Sequence, residues 1–262
     1  MLKTRLIPVL LLKDGSLVRS ESFRVHQVIG DPISEAERFN EWEVDELIYL
    51  DISSGVYKRK DRIDSRHGEI NTNLDILRKV SENCFMPLTW GGGIKNIDDV
   101  ERCISNGADK VAINSYAFID KDLISSISKK YGSQSIVVCI DVKFNDYNGI
   151  YEVYINNGTL NTNIDVKQWS QEVESLGAGE ILLQSIDRDG TARGYDLSLI
   201  QSISKLVSIP VIALGGVGSF DDYPLGVKAG ASAVASANIW HFKEFSDKLG
   251  KREMSKSGID VR

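Results

Sequence analysis

Pro87-Leu88-Thr89-Trp90-Gly91-Gly92-Gly93-Ile94 and Pro210-Val211-Ile212-Ala213-Leu214-Gly215-Gly216-Val217 are one pattern written twice. Each has a proline, a short apolar run, then a glycine turn. The copies stand 123 residues apart (210 − 87), and Gly107-Ala108…Val111-Ala112 meets Gly230-Ala231…Val234-Ala235 at the same offset (230 − 107). Lys13 and Lys143, and Glu46 and Glu180, pair at similar spacings. Self-similarity at this period marks an internally repeated architecture. The chain reads as one domain over residues 1–262, made of two (βα)4 halves at about 1–131 and 132–262.

Outward from the repeat, short runs of Val, Ile and Leu alternate with amphipathic stretches. The expected strands are 5–12, 46–51, 86–90, 109–113, 135–141, 180–185, 209–214 and 231–236. The expected helices are 32–43, 70–83, 96–106, 120–131, 165–176, 196–207, 219–229 and 242–250. Near-continuous apolar strands belong to a parallel sheet buried on both faces. Eight β/α units predict an α/β fold closed as a (βα)8 TIM barrel. Asp31-Pro32, Asp120 and Asp196 read as helix N-caps, and residues 141–163 as a hairpin inserted after the fifth strand.

Composition narrows the function. Of 262 residues, 42% are hydrophobic and 26% charged, with a net charge of -6, which is ordinary for one large soluble domain and argues against nucleic acid. No apolar run reaches the roughly 20 residues that span a bilayer, and the N-terminus lacks a signal-peptide pattern. Cys84, Cys103 and Cys139 sit in apolar surroundings and read as reduced cysteines of a cytoplasmic protein. The three histidines lack zinc spacing, so no metal or other cofactor is expected.

Barrel active sites sit where strands end. Two cradles are read there, Gly91-Gly92-Gly93 with Asn114-Ser115, and Gly215-Gly216 with Ala237-Asn238. Glycine turns before helix starts present N–H groups to an anion, so a ligand with a phosphate at each end fits; turns that merely need glycine are the alternative. Asp187-Arg188-Asp189-Gly190-Thr191 offers acids for sugar hydroxyls, or a capped turn. Arg19 and Asp51 are further candidates at this mouth. Lys58–Gly68 reads as solvated surface or a substrate-contact loop. At the opposite end Arg5, Glu46, Lys110 and Glu180 stand at strand starts. By strand parity Arg5 shares a face with Leu11, Lys110 with Asn114 and Glu180 with Gln184. Either they point outward as a solvated rim, or they close the floor as a neutral gate. From Arg5 to Leu11 a passage would run roughly 20 Å, at about 3.3 Å per residue.

From Leu2 to Arg262 the chain resembles the cyclase subunit family of imidazole glycerol phosphate synthase, a lyase/cyclase of histidine biosynthesis. The likeness is carried by Lys13-Asp14-Gly15, Gly30-Asp31-Pro32, Asp45-Glu46-Leu47, Gly91-Gly92-Gly93-Ile94, Gly107-Ala108-Asp109-Lys110-Val111, Gly177-Ala178-Gly179-Glu180 and Ser185-Ile186-Asp187-Arg188-Asp189-Gly190-Thr191. It implies a barrel docked floor-first on a glutaminase in a heterodimer, with Asp109 at the interface. Ammonia would pass a gate of Arg5, Glu46, Lys110 and Glu180, a bisphosphate would lie at the mouth, and two aspartates would do acid/base work. One of these is Asp141, at the end of Ile136–Lys143. The other falls on Leu11, in the matching run Leu6–Lys13. Arg19 replaces a family lysine, and Asn238 a serine of the second cradle. With conduit kept and mouth altered, the chain is similar to a divergent branch found in surface-polysaccharide gene sets. There a separate sugar amidotransferase uses the ammonia to make an acetamidino group. Three functions follow. The first is an ammonia conduit of that branch. The second is a histidine-pathway cyclase with another group, such as Asp14 or Asp51, in place of the missing carboxylate. The third is a regulatory or binding barrel.

Overall fold

The computed structural model describes residues 3–53 and 70–262. The Lys58–Gly68 tract lies outside the described residues. Twelve strands are present among them: β1 (Arg5–Lys13), β2 (Ser16–Glu21), β3 (Val25–Gly30), β4 (Leu47–Asp51), β5 (Leu88–Gly91), β6 (Lys110–Ile113), β7 (Ile136–Asn145), β8 (Ile150–Ile155), β9 (Leu160–Asp165), β10 (Glu180–Ser185), β11 (Val211–Leu214) and β12 (Ala233–Ser236). Eight run parallel and close on themselves in the order β1-β4-β5-β6-β7-β10-β11-β12, with β12 paired back to β1 through Arg5↔Ala233 and Ile7↔Ala235. This is the expected (βα)8 barrel.

Around it lie α1 (Pro32–Glu41), α2 (Asn73–Asn83), α3 (Ile97–Ser105), α4 (Ser115–Ile119), α5 (Asp122–Tyr131), α6 (Val166–Ser175), α7 (Leu197–Ser204), α8 (Asp222–Lys228) and α9 (Ser246–Lys256). Local chemistry starts several of them. Asp31 accepts from the Ile33 and Ser34 amides with Pro32 opening α1, and Asp196 accepts from Leu199 N at α7; both relieve helix-end N–H groups that lack intrahelical partners.

Period-two alternation splits the interior into two cores. Residues on one strand face, such as Leu6, Leu10, Leu12 and Ile136, pack against the helices. Their neighbours Ile7, Val9, Leu11, Ile48, Val137 and Leu182 fill the barrel. Arg5, Glu46, Lys110 and Glu180 lie in phase with the second set, so they point to the axis.

Three expectations need correction. The helix expected at 120–131 is α5, but a short α4 precedes it, and Asp120 closes α4 instead of capping α5 with its side chain. The hairpin expected over 141–163 is a three-stranded meander, because β7 runs on to Asn145 before β8 and β9. A second antiparallel excursion, β2–β3, was not expected at all. It follows β1 through Asp14-Gly15, both at positive φ (49° and 75°), with Lys13 paired to Ser16, the geometry that two-residue hairpin turns require.

Candidate functional site

At the C-terminal mouth of the barrel two cavities share the walls Leu11 and Gln184. The larger, about 670 Å³, holds Asp141, Asp51, Asn114, Ser115, Gly92 and Gly93. Asp141 stands inward on β7 and is 5% exposed. Its Oδ2 accepts from Asn114 Nδ2 at 2.8 Å. Burial raises its pKa to about 7; the Asn114 bond opposes this and the charge of Asp189 adds to it. A carboxyl so tuned can both give and take a proton near neutrality. Asp51 is also pushed upward by burial, against hydrogen bonds from Ser53, and it also takes the Asn73 amide. Leu11 is buried in the wall beside them, so no carboxylate enters from β1.

Asp189 lines the smaller cavity, but its carboxylate is engaged by the protein. The residue is 5% exposed. Its Oδ2 accepts from Ser20 Oγ (2.8 Å) and Phe23 N (3.2 Å), and its carbonyl accepts from Ser22 N. The second carboxylate felt by Asp141 is therefore an anchor for the β2–β3 hairpin.

The glycines of both cradles take positive φ: Gly92 (108°), Gly93 (68°), Gly215 (102°) and Gly216 (97°). A Cβ on Gly92 would stand 2.2 Å from the Asp51 carbonyl, and one on Gly216 2.2 Å from that of Gly194. Gly91 serves close strand packing instead, with Ala112 Cβ 2.8 Å from its virtual Cβ. The smaller cavity, about 210 Å³, is lined by Gly190, Gly215, Gly216, Ala237, Asn238 and Arg19. The cradles' polar partners also tie the excursions down: Ser115 Oγ accepts from Asn156 N, and Asn238 Nδ2 donates to the Ser20 carbonyl, each at 2.9 Å. Asp187 and Thr191 line neither cavity. Asp187 is exposed and accepts from Phe144 N, while Thr191 Oγ1 donates to the Arg188 carbonyl. Sequence reasoning missed Lys13, Arg24, His26 and Lys95 in the larger cavity and Lys243 in the smaller. Arg24 and His26 come with the unforeseen hairpin, and Lys13 ends β1 just before it.

At the floor the four charges form a closed ring. Arg5 pairs with Glu46 at 2.6 Å and Glu180 at 2.9 Å, and Lys110 with Glu46 at 2.9 Å and Glu180 at 3.2 Å. The Glu46 side chain is 2% exposed, and the other three lie between 13% and 17%, so the solvated-rim reading fails. Burial alone would lower the Arg5 pKa, but the two glutamates reverse it and raise it. Asp109, one residue before Lys110, is exposed at the same end and accepts from Leu88 N.

Among the described residues no group of three His, Cys, Asp or Glu could hold a metal, and no helix is long and apolar enough to cross a membrane. The sequence profile of a family described as "Histidine biosynthesis protein" matches residues 5–246. The chain is 44% identical to the imidazole glycerol phosphate synthase subunit HisF of Hydrogenobaculum sp., with both chains covered completely. It is 42% identical to the subunits of the same name from Natranaerobius thermophilus and Wolinella succinogenes, covering 100% and 98% of those chains. By the extent of these matches, the chain belongs to the histidine-biosynthesis family that includes the imidazole glycerol phosphate synthase subunit HisF.

Proposed function

We propose that the chain works as a one-domain cytoplasmic barrel subunit of a glutamine amidotransferase complex. A partner glutaminase releases ammonia at the floor, the barrel interior carries it to the mouth, and a phosphorylated ligand held between the two cradles accepts it. The observation that carries this reading is the closed ring of Arg5, Glu46, Lys110 and Glu180 on the axis. Burying ions costs several kcal/mol each, and well-packed hydrocarbon often replaces buried ion pairs without loss. A barrel that needed only a sealed floor would do as well with leucines. A ring of charge can part and close, and the apolar side chains above it pass neutral ammonia but oppose ammonium, which would have to shed its hydration.

For the chemistry at the mouth, the relatives reverse the order reached from sequence alone. Their shared name favours the imidazole glycerol phosphate synthase reaction, which makes imidazole glycerol phosphate and AICAR, with Asp141 as its proton-transfer group. One observation keeps a second reading, supply of ammonia to an amidotransferase acting on an activated sugar: Leu11 is buried hydrocarbon at the mouth, where the family resemblance calls for a carboxylate. The test supplies the synthase's bisphosphate substrate with ammonium salt and no glutaminase. Turnover at ordinary enzyme rates, about 1 s⁻¹ or more, supports the first reading. No turnover in the native chain, with turnover gained in Leu11→Asp, defeats it in favour of the second. Failure to bind and stimulate a glutaminase would defeat both and leave a binding barrel.

A further inference from the structure

The β2–β3 hairpin brings to the larger cavity a group that the strand ends do not. His26, on β3 opposite Ser20, lines the same cavity as Asp141 and is half-buried. Its Nδ1 lies 3.1 Å from Lys13 Nζ. An ammonium has donors only, so Nδ1 must accept. The ring is then neutral and its proton sits on Nε2. Burial and the Lys13 charge both lower the pKa of His26, opposed by Asp189, which keeps the imidazole uncharged at neutral pH. Nε2–H is the ring's remaining polar group. Leu11, which lines the same cavity, can neither donate nor accept, and the His26 N–H is a donor that the hairpin brings there.

We propose that His26 is the second catalytic group of the mouth, donating a hydrogen bond from Nε2–H to the reacting oxygen of the bound ligand. The proposal rests on the ammonia-accepting function above. In the step it serves, ammonia nitrogen forms a bond to a carbonyl carbon and the C=O π pair moves to oxygen. The negative oxygen is met by the His26 N–H. The cationic nitrogen gives a proton to the Asp141 carboxylate, and the resulting carboxyl hands it to the oxygen. One proton moves from nitrogen to oxygen, and both residues end as they began. A single carboxyl with a pKa near neutrality suffices, so the step does not need a carboxylate at position 11. A neutral imidazole polarises oxygen in this way without a net proton transfer of its own.

Two measurements on the full chain test this. The first is ammonium-driven turnover of the synthase's bisphosphate substrate. Removing one oxyanion donor costs about 10²–10³ in kcat, so His26→Asn is expected to lose that much with KM within about threefold. His26→Gln, whose amide nitrogen reaches the place of Nε2, is expected to recover to within about tenfold. The second is imidazole NMR near pH 7.5, which is expected to show an Nε2–H tautomer at His26 whose proton resonance moves when the bisphosphate is added. An Nδ1–H tautomer overturns the proposal, as does His26→Asn turning over within threefold of the native chain. Should the native chain not turn over, the histidine-pathway reading fails by itself. The NMR then decides His26: a shifted Nε2–H supports its role toward the ligand, and an unmoved one overturns it.

Discussion

Asp141, inside β7, and Asp189, in the turn after β10, are both buried aspartates pushed upward in pKa, yet their surroundings give them different work. Asp189 spends its Oδ2 on the hairpin through Ser20 and Phe23. Asp141 has one side-chain donor, Asn114, and an open cavity in front of it. A carboxyl whose folded pKa is raised holds its proton over a range where the unfolded chain has lost it. Stability from Asp141 is therefore present below about pH 4 and falls as pH rises towards about 7, with a total of about 2–4 kcal/mol. Asp141→Asn removes this loss. The variant should melt several degrees above the native chain at pH 8, with the gap shrinking by pH 4. Its ammonium-driven turnover should drop by at least about 10². Equal melting temperatures at pH 8 would show that water reaches the carboxyl and that its pKa is ordinary.

The elements that bear the mouth's chemistry differ in how far the chain announces them. The barrel strands were legible because burial on both faces forces continuous Val, Ile and Leu. The helix starts at Asp31 and Asp196 were legible because capping is local. The β2–β3 hairpin was hidden, because its strands carry mixed residues such as Arg19, Ser20, His26 and Gln27 and show no clean apolar alternation. Its one strong signal, Asp14-Gly15, was available as a hairpin turn. What holds the hairpin, Asp189 Oδ2 with Ser20 Oγ and Asn238 with the Ser20 carbonyl, joins residues 169 and 218 positions apart, beyond the reach of local pattern. Ser20→Ala tests that latch. Loss of a hydrogen bond to a buried carboxylate costs about 1.5–3 kcal/mol, and the cost should appear locally. Amides of residues 16–30 should exchange about tenfold faster or more, while those of β7 and β10 hold. Uniform acceleration across the barrel would mean that the hairpin is integral to global folding.

Across the molecule, the proposed function is divided between two ends joined by an apolar interior. At the mouth, the family resemblance sets Leu11 against a carboxylate, Arg19 against a lysine and Asn238 against a serine. The floor shows no such contrast: its four charges are present and ion-paired around the ring. In the proposed function, the chemistry of one end could change without the transfer at the other, because the two share only the barrel wall. Arg5→Ala separates them. It leaves Glu46 and Glu180 sharing Lys110 alone, and breaking a buried pair costs about 3–5 kcal/mol. With the Arg5 side chain 15% exposed, water takes part of that load, so the lower end of the range is expected. The melting temperature should fall by several degrees. Turnover driven by ammonium salt, which enters from solution at the mouth, should stay within about threefold. Glutamine-driven turnover with the glutaminase bound should drop by tenfold or more, because an open floor lets ammonia escape and lets ammonium and water in. A parallel loss in both assays would place Arg5 in the support of the barrel alone, and the ring would then be a structural closure without a part in transfer.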